Sequence, residues 1–236
     1  MSSSQLKQEL KALAKHAKAK TTSKFFKTGA GQYGEGDLFL GVSVPEQRRV
    51  ARKYGQLPLS EIQILLTSKY HDYRSTALLI LVAQFQKGSE ADKKIIYEHY
   101  LRNTKYINNW DLVDISAPKI VGEYLCSNPG KKTIFKELVT SDNLWERRIA
   151  VLATYPFIKK GEFGEIKEIT QKLLLDKEDL IHKAVGWMLR EMGKVEQKEE
   201  TEFLDQYAHK MPRTMLRYAI ERLPETDRQH YLKQKG

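Results

Sequence analysis

The chain of 236 residues holds a single cysteine, Cys126, so it can form no internal disulfide. One thiol in a chain this long fits a reducing compartment, and a cytoplasmic location is expected. Zinc ligands are also scarce: the six histidines stand at positions 16, 71, 99, 182, 209 and 230, never three or four apart. No metal and no cofactor are therefore expected. Long apolar runs are missing. The longest, Ala77 to Ala83, is far short of the roughly 18 residues a membrane span needs. The opening MSSSQLKQELK has no apolar core, so neither a signal peptide nor a membrane association is expected. Strand-like alternation is absent, as is a Gly-x-Ser-x-Gly nucleophile elbow. Nucleophilic catalysis by serine or cysteine has no footing, and Cys126 reads as a small buried core residue.

Positive charge and helical period are abundant. Lys and Arg number 40 against 30 Asp and Glu, which leaves net +10 and points to nucleic acid, an anionic surface or an acidic partner. Apolar residues recur on one helical stripe at Leu6, Leu10 and Leu13, at Ile62, Leu65 and Leu66, and at Leu78, Leu81, Val82 and Phe85. Ser43 to Glu46 (SVPE) reads as a capping box with proline in the first turn, and Ser60 with Gln63 as a weaker one. Gly88, the SNPG at 127–130, Gly161 and Gly193 read as stops. The expectation is an all-α protein, residues 1–236 forming one repeat domain with a Gly-rich loop at 28–42 between the first helices. That loop carries Gly29-x-Gly31-x-x-Gly34, but no strand leads into it, so the nucleotide-binding reading fails. A flexible loop near a ligand fits better, with Lys27 able to reach a phosphate.

A longer period lies over the short one. Five segments open strong helices: HDYRSTALLIL, WDLVDISAPKI, NLWERRIAVLA, LIHKAVGWMLR and RTMLRYAIERL. One slot near their starts holds Arg74, Asp114, Arg148, Lys183 and Arg217, at spacings of 40, 34, 35 and 34 residues. This is the period of a helix-pair solenoid, in which equivalent slots line one wall. A row of cations on a concave wall suits a phosphate backbone. Asp114 is then the exception. It stands four residues after Trp110, on the same helix face, and four before Pro118, which has no N–H for the carbonyl of residue 114. In IHKAVGWMLREMGK the apolar stripe is Ile181, Ala184, Val185, Met188 and Met192. Trp187 lies off that stripe, with Lys183, Arg190 and Lys194.

WDLVD, SDNLWERRIAVL and IHKAVGWMLRE, in this order and spacing, resemble the DNA alkylation repair family of HEAT-repeat glycosylases of the AlkD type. The resemblance runs from about Phe25 to about Leu223. It implies HEAT-like helix pairs around a basic concave groove, and removal of N7- and N3-alkylated purines from duplex DNA by a monomer. It implies that Asp114 is the catalytic carboxylate, that Trp110 and Trp187 are the active-site tryptophans, and that Arg148 grips a phosphate. Arg48 and Arg190 fall where relatives contact the backbone. Arg52, Arg74, Lys183, Lys194, Arg217 and Lys27 complete the expected DNA-binding set. A tyrosine of the family stands as Phe25 here. The second reading is a HEAT-repeat protein that binds damaged or branched DNA without chemistry.

These residues suit the implied reaction. An N7- or N3-alkylated purine is cationic and already a good leaving group, so the enzyme must chiefly stabilise the positive charge growing on the sugar. A carboxylate about 4 Å from that charge, at an effective dielectric near 20, contributes about 4 kcal/mol, close to a thousandfold in rate. Two indole faces would hold the cation, each adding about 0.5 to 2 kcal/mol. No lysine in the matched set could form a Schiff base, so strand cleavage is not expected.

Overall fold

The computed structural model describes residues 1–233 and is all-helical among them, with one isolated bridge between Leu38 and Tyr70. The chain divides into two compact units, Met1–Ile120 and Val121–Gly236.

The first unit contains α1 (Ser3–Ala12), α2 (His16–Phe25), α3 (Val44–Lys53) and α4 (Leu59–Leu66). It continues with α5 (His71–Lys87), α6 (Glu90–Arg102) and α7 (Trp110–Ala117). Ser43 and Glu46 form the expected capping box at the start of α3, and Ser89 with Asp92 forms another at α6. The Ser60 start is corrected. Pro58 is the N-cap of α4, so Ser60 lies inside the helix. α5 is the central element: Ala77, Leu78, Ile80 and Leu81 are fully buried, as are Ile62, Leu65 and Leu66 of α4, which packs against it. α1 contributes Leu6 and Leu10 to the same core, while Leu13 stays half-buried at the helix end.

The second unit contains α8 (Glu123–Ser127), α9 (Ile134–Val139), α10 (Leu144–Leu152), α11 (Tyr155–Lys159) and α12 (Gly164–Leu173). Then come α13 (Asp179–Val195), α14 (Gln197–Tyr207), α15 (Arg213–Ala219) and α16 (Glu225–Lys233). α13 packs on α10, α12, α14 and α15, and its apolar stripe is fully buried: Ile181, Ala184, Val185, Met188 and Met192 all have no exposed surface. The expected stop at Gly193 is corrected, because α13 runs through it to Val195. Glycine is needed there for packing. A Cβ on Gly193 would collide with the Glu200 carboxylate of α14.

The long period is present. α5, α7, α10, α13 and α15 open at His71, Trp110, Leu144, Asp179 and Arg213, 39, 34, 35 and 34 residues apart. The helical-repeat class read from the sequence is therefore the class of the fold.

Candidate functional site

In the first unit, α7 carries the two residues that the sequence singles out. Trp110 opens the helix and Asp114 follows one turn later, both half-buried. The Asn109 side chain accepts a hydrogen bond from the Trp110 N–H at 2.8 Å and caps the start. Beneath the helix, the Tyr100 hydroxyl lies 3.0 Å from the Ser116 hydroxyl. Burial pushes the Tyr100 hydroxyl well above its ordinary pKa, and the Asp114 charge raises it further. The break expected at Pro118 takes a definite form: α7 ends at Ala117 and residues Pro118–Gly122 form a π-helical turn. Such turns recur at functional sites because they re-aim the side chains around them.

An aromatic cluster fixes the Trp110 ring. Phe26 stacks on it with centroids 5.4 Å apart and planes at 27°, and Phe25 meets it edge-on at 6.0 Å. Behind Phe26 lie Phe39, stacked at 5.3 Å, and His71 at 5.0 Å. The His71 Nε2 lies 2.9 Å from Asp111 Oδ1, one residue after Trp110. The sequence reading missed Phe26, Phe39, His71 and Asp111, whose partners are far apart along the chain.

Two expectations about the 28–42 loop are corrected. Its second half is tethered rather than flexible. Asp72 accepts hydrogen bonds from the N–H groups of Leu40 (2.8 Å) and Val42 (3.0 Å), and the Leu38 N–H donates to the Lys69 carbonyl. Gly41 has φ 77° and lies so close to α2 that a Cβ there would stand 2.5 Å from the Lys15 carbonyl oxygen. Arg74, expected as a phosphate clamp, is buried. Its Nη2 donates to both Asp37 carboxylate oxygens at 2.7 Å, and its Nη1 donates to the Ser68 carbonyl at 2.9 Å. A guanidinium so committed has no surface for DNA. Its cation near a helix start answers the loop carboxylate.

Other basic candidates of this unit are exposed: Lys27, which has φ 51°, and Arg48 and Arg52, one turn apart on α3. A larger basic feature went unread in the sequence. α2 buries none of its residues and carries Lys18, Lys20 and Lys24. The signal was available, since residues 10–34 contain no Asp or Glu. The whole unit holds 19 Lys and Arg against 11 Asp and Glu, so eight of the ten net charges reside in it.

In the second unit, Arg148 sits on α10 and is buried, with Nη1 donating to the Leu180 carbonyl at 2.5 Å. The expectation that all slot residues line one solvent-facing wall is thus corrected at two positions, 74 and 148. Trp145, one turn before Arg148, belongs to the core. Trp187 is half-buried on α13, off the apolar stripe as expected, and its indole N–H donates to Glu191 at 3.1 Å. The same carboxylate oxygen takes the Lys194 ammonium at 2.5 Å. Lys183 pairs with Asp179 at 2.8 Å and Arg190 with Glu221, so this basic face brings its own counter-ions. Arg217 is exposed. Cys126 is half-buried rather than enclosed in the core, a further correction.

The family model for DNA alkylation repair enzymes matches residues 6–223, most of the chain. The chain belongs to the DNA alkylation repair family. Among solved structures it is similar to one described as a "predicted DNA alkylation repair enzyme" from Enterococcus faecalis. The similarity has a TM-score of 0.71 and 19% identity, covering 89% of this chain and 96% of that one. At that identity the likeness shows the fold. None of the curated proteins matches the chain. Membership ties the protein to repair of alkylated DNA. Among the described residues no group of three or more His, Cys, Asp or Glu could hold a metal ion, and no helix is long and apolar enough to cross a membrane.

Proposed function

We propose that the protein is a monofunctional DNA glycosylase that hydrolyses the N-glycosidic bond of cationic N7- or N3-alkylated purines in duplex DNA. The observation that carries this reading is α7, where an indole and a carboxylate stand one turn apart, both half-buried, just before the helix leaves the α register. A carboxylate in a protein with net +10 charge that binds a polyanion makes sense opposite a cation. In the proposed reaction the C1′–N9 bond breaks first and its electron pair leaves with the purine, which departs neutral. Asp114 stabilises the oxocarbenium ion left on the sugar. Water then adds to C1′ and gives up a proton, with Asp114 orienting it. Trp110 holds the cationic nucleoside by its π-face, and the family resemblance implies a like role for Trp187.

The backbone grip falls to exposed cations: Lys27, Arg48, Arg52 and Arg217, joined by Lys18, Lys20 and Lys24 of α2. Lys183, Arg190 and Lys194 would exchange their carboxylate partners for phosphates. The family resemblance implies a phosphate-gripping role for Arg148, which requires its buried guanidinium to release the Leu180 carbonyl on binding DNA, whereas Arg74, held by both Asp37 oxygens, is withdrawn from the set. The whole chain acts on DNA as one HEAT-like repeat domain, as a monomer in the cytoplasm. The test is release of free N7-methylguanine from methylated duplex DNA by the purified protein. Tight binding with no release above the spontaneous rate would favour a non-catalytic binder of damaged DNA instead.

A further inference from the structure

The aromatic cluster beside α7 has more order than a core requires. Phe26 is buried, its ring parallel to Phe39 within 11° at 5.3 Å, and tilted against His71 at 5.0 Å. Phe39 stacks on His71 at 4.8 Å. The His71 ring, 4% exposed, is in turn held by Asp111 in the first turn of α7. Phe26 also stacks on the Trp110 indole, with centroids 5.4 Å apart and planes at 27°. The backbone leading into the stack is constrained too. Phe26 caps α2 with its N–H on the Thr22 carbonyl, and Lys27 turns the chain out at φ 51°. The stack is therefore anchored at His71 by Asp111 and at Phe26 by the end of α2.

We infer that Phe26 is a positioning residue for Trp110: it covers one face of the indole, fixes the plane, and leaves only the opposite face to receive a cationic base. The inference rests on the proposed glycosylase reading for its kinetic consequence, but not for its structural one. A flat ring is required, because an aliphatic side chain of equal volume fills the space without defining a plane. The alkylated base is already cationic before the bond breaks, so the indole contributes about equally to the bound substrate and to the transition state. Losing its orientation should then raise KM and spare kcat.

The experiment compares Phe26→Met, which keeps volume and loses the ring, with Phe26→Tyr, which keeps the ring. Both are made in protein labelled with 5-fluorotryptophan, whose three tryptophans give three fluorine resonances, that of Trp110 being assigned by Trp110→Phe. Phe26→Met should shift or broaden the Trp110 signal alone, and raise KM for N7-methylguanine release about tenfold with kcat within about twofold of the parent. Phe26→Tyr should keep the parent spectrum and KM. An unmoved Trp110 resonance in Phe26→Met overturns the inference, as do losses in both variants that simply follow their melting temperatures. A parent protein that releases no base would overturn the glycosylase reading instead, and the fluorine spectra would still decide the role of Phe26.

Discussion

Arg74 Nη2 lies 2.7 Å from both carboxylate oxygens of Asp37, and the two residues are only 3% and 8% exposed. The pair joins the first turn of α5 to the interior of the 28–42 loop, 37 positions earlier in the chain. Removing one partner leaves an uncompensated buried charge, which costs about 3–5 kcal/mol. Arg74→Ala should therefore lower the melting temperature sharply. DNA affinity measured on the folded fraction should keep the parent salt dependence, because this arginine meets no phosphate. A variant of parent stability with a shallower salt slope would return Arg74 to the DNA-binding set.

α2 should behave in the opposite way. Lys18, Lys20 and Lys24 lie on a helix with no buried residue, so replacing them by glutamine should leave the melting temperature unchanged. Each lysine that neutralises a phosphate should, when replaced, flatten the slope of log K against log salt concentration by about 0.9. Titration of a short duplex at four or five salt concentrations reads this directly. Slopes equal to the parent in all three variants would mean that α2 faces away from the DNA.

Asp114→Asn keeps shape and removes charge. Binding should hold or tighten slightly, since a repulsion between carboxylate and phosphate is lost. Single-turnover release of N7-methylguanine should slow by roughly a thousandfold. Because the methylated base also leaves spontaneously, a residual rate remains. A carboxylate that only stabilises the fold predicts a different pattern, in which melting temperature, affinity and release fall together.

Glu200 supplies a prediction about pH. It is 3% exposed on α14, over Gly193, and burial pushes its pKa from 4.5 up to about 8 against the lowering pull of Arg190. Between those values the folded protein keeps a proton that the unfolded chain has lost. Stability contributed by this group therefore falls as pH rises from about 4.5 to about 8, and is flat above. Glu200→Gln should unfold at higher denaturant concentration than the parent at pH 8, by an amount on the order of 2–4 kcal/mol, and should lose the advantage near pH 4.5. Parallel stability curves for the two proteins across that range would contradict it.

What the sequence determined by itself was the helical class, the long repeat and some of the element boundaries. These rest on local physics: contacts three and four residues apart, capping boxes such as Ser43 with Glu46, and the fully buried stripe of α13. The pairing of Trp110 with Asp114 on one short helix was legible for the same reason. Tertiary structure decided which charges are surface and which are interior. Arg74 and Lys183 occupy the same repeat slot, yet one is buried against Asp37 from a distant loop and the other is half-exposed beside Asp179, one turn away. Periodicity places a side chain on a face but says nothing of what the rest of the chain lays across that face. The same holds for Gly193, which terminates nothing because Glu200 lies where its side chain would be. It holds too for the stack of Phe39, His71 and Phe26 behind Trp110, whose rings come from three separate segments of the chain. Burial of a charge and alignment of ring planes are properties of partners brought together by folding, and only the folded chain brings them together.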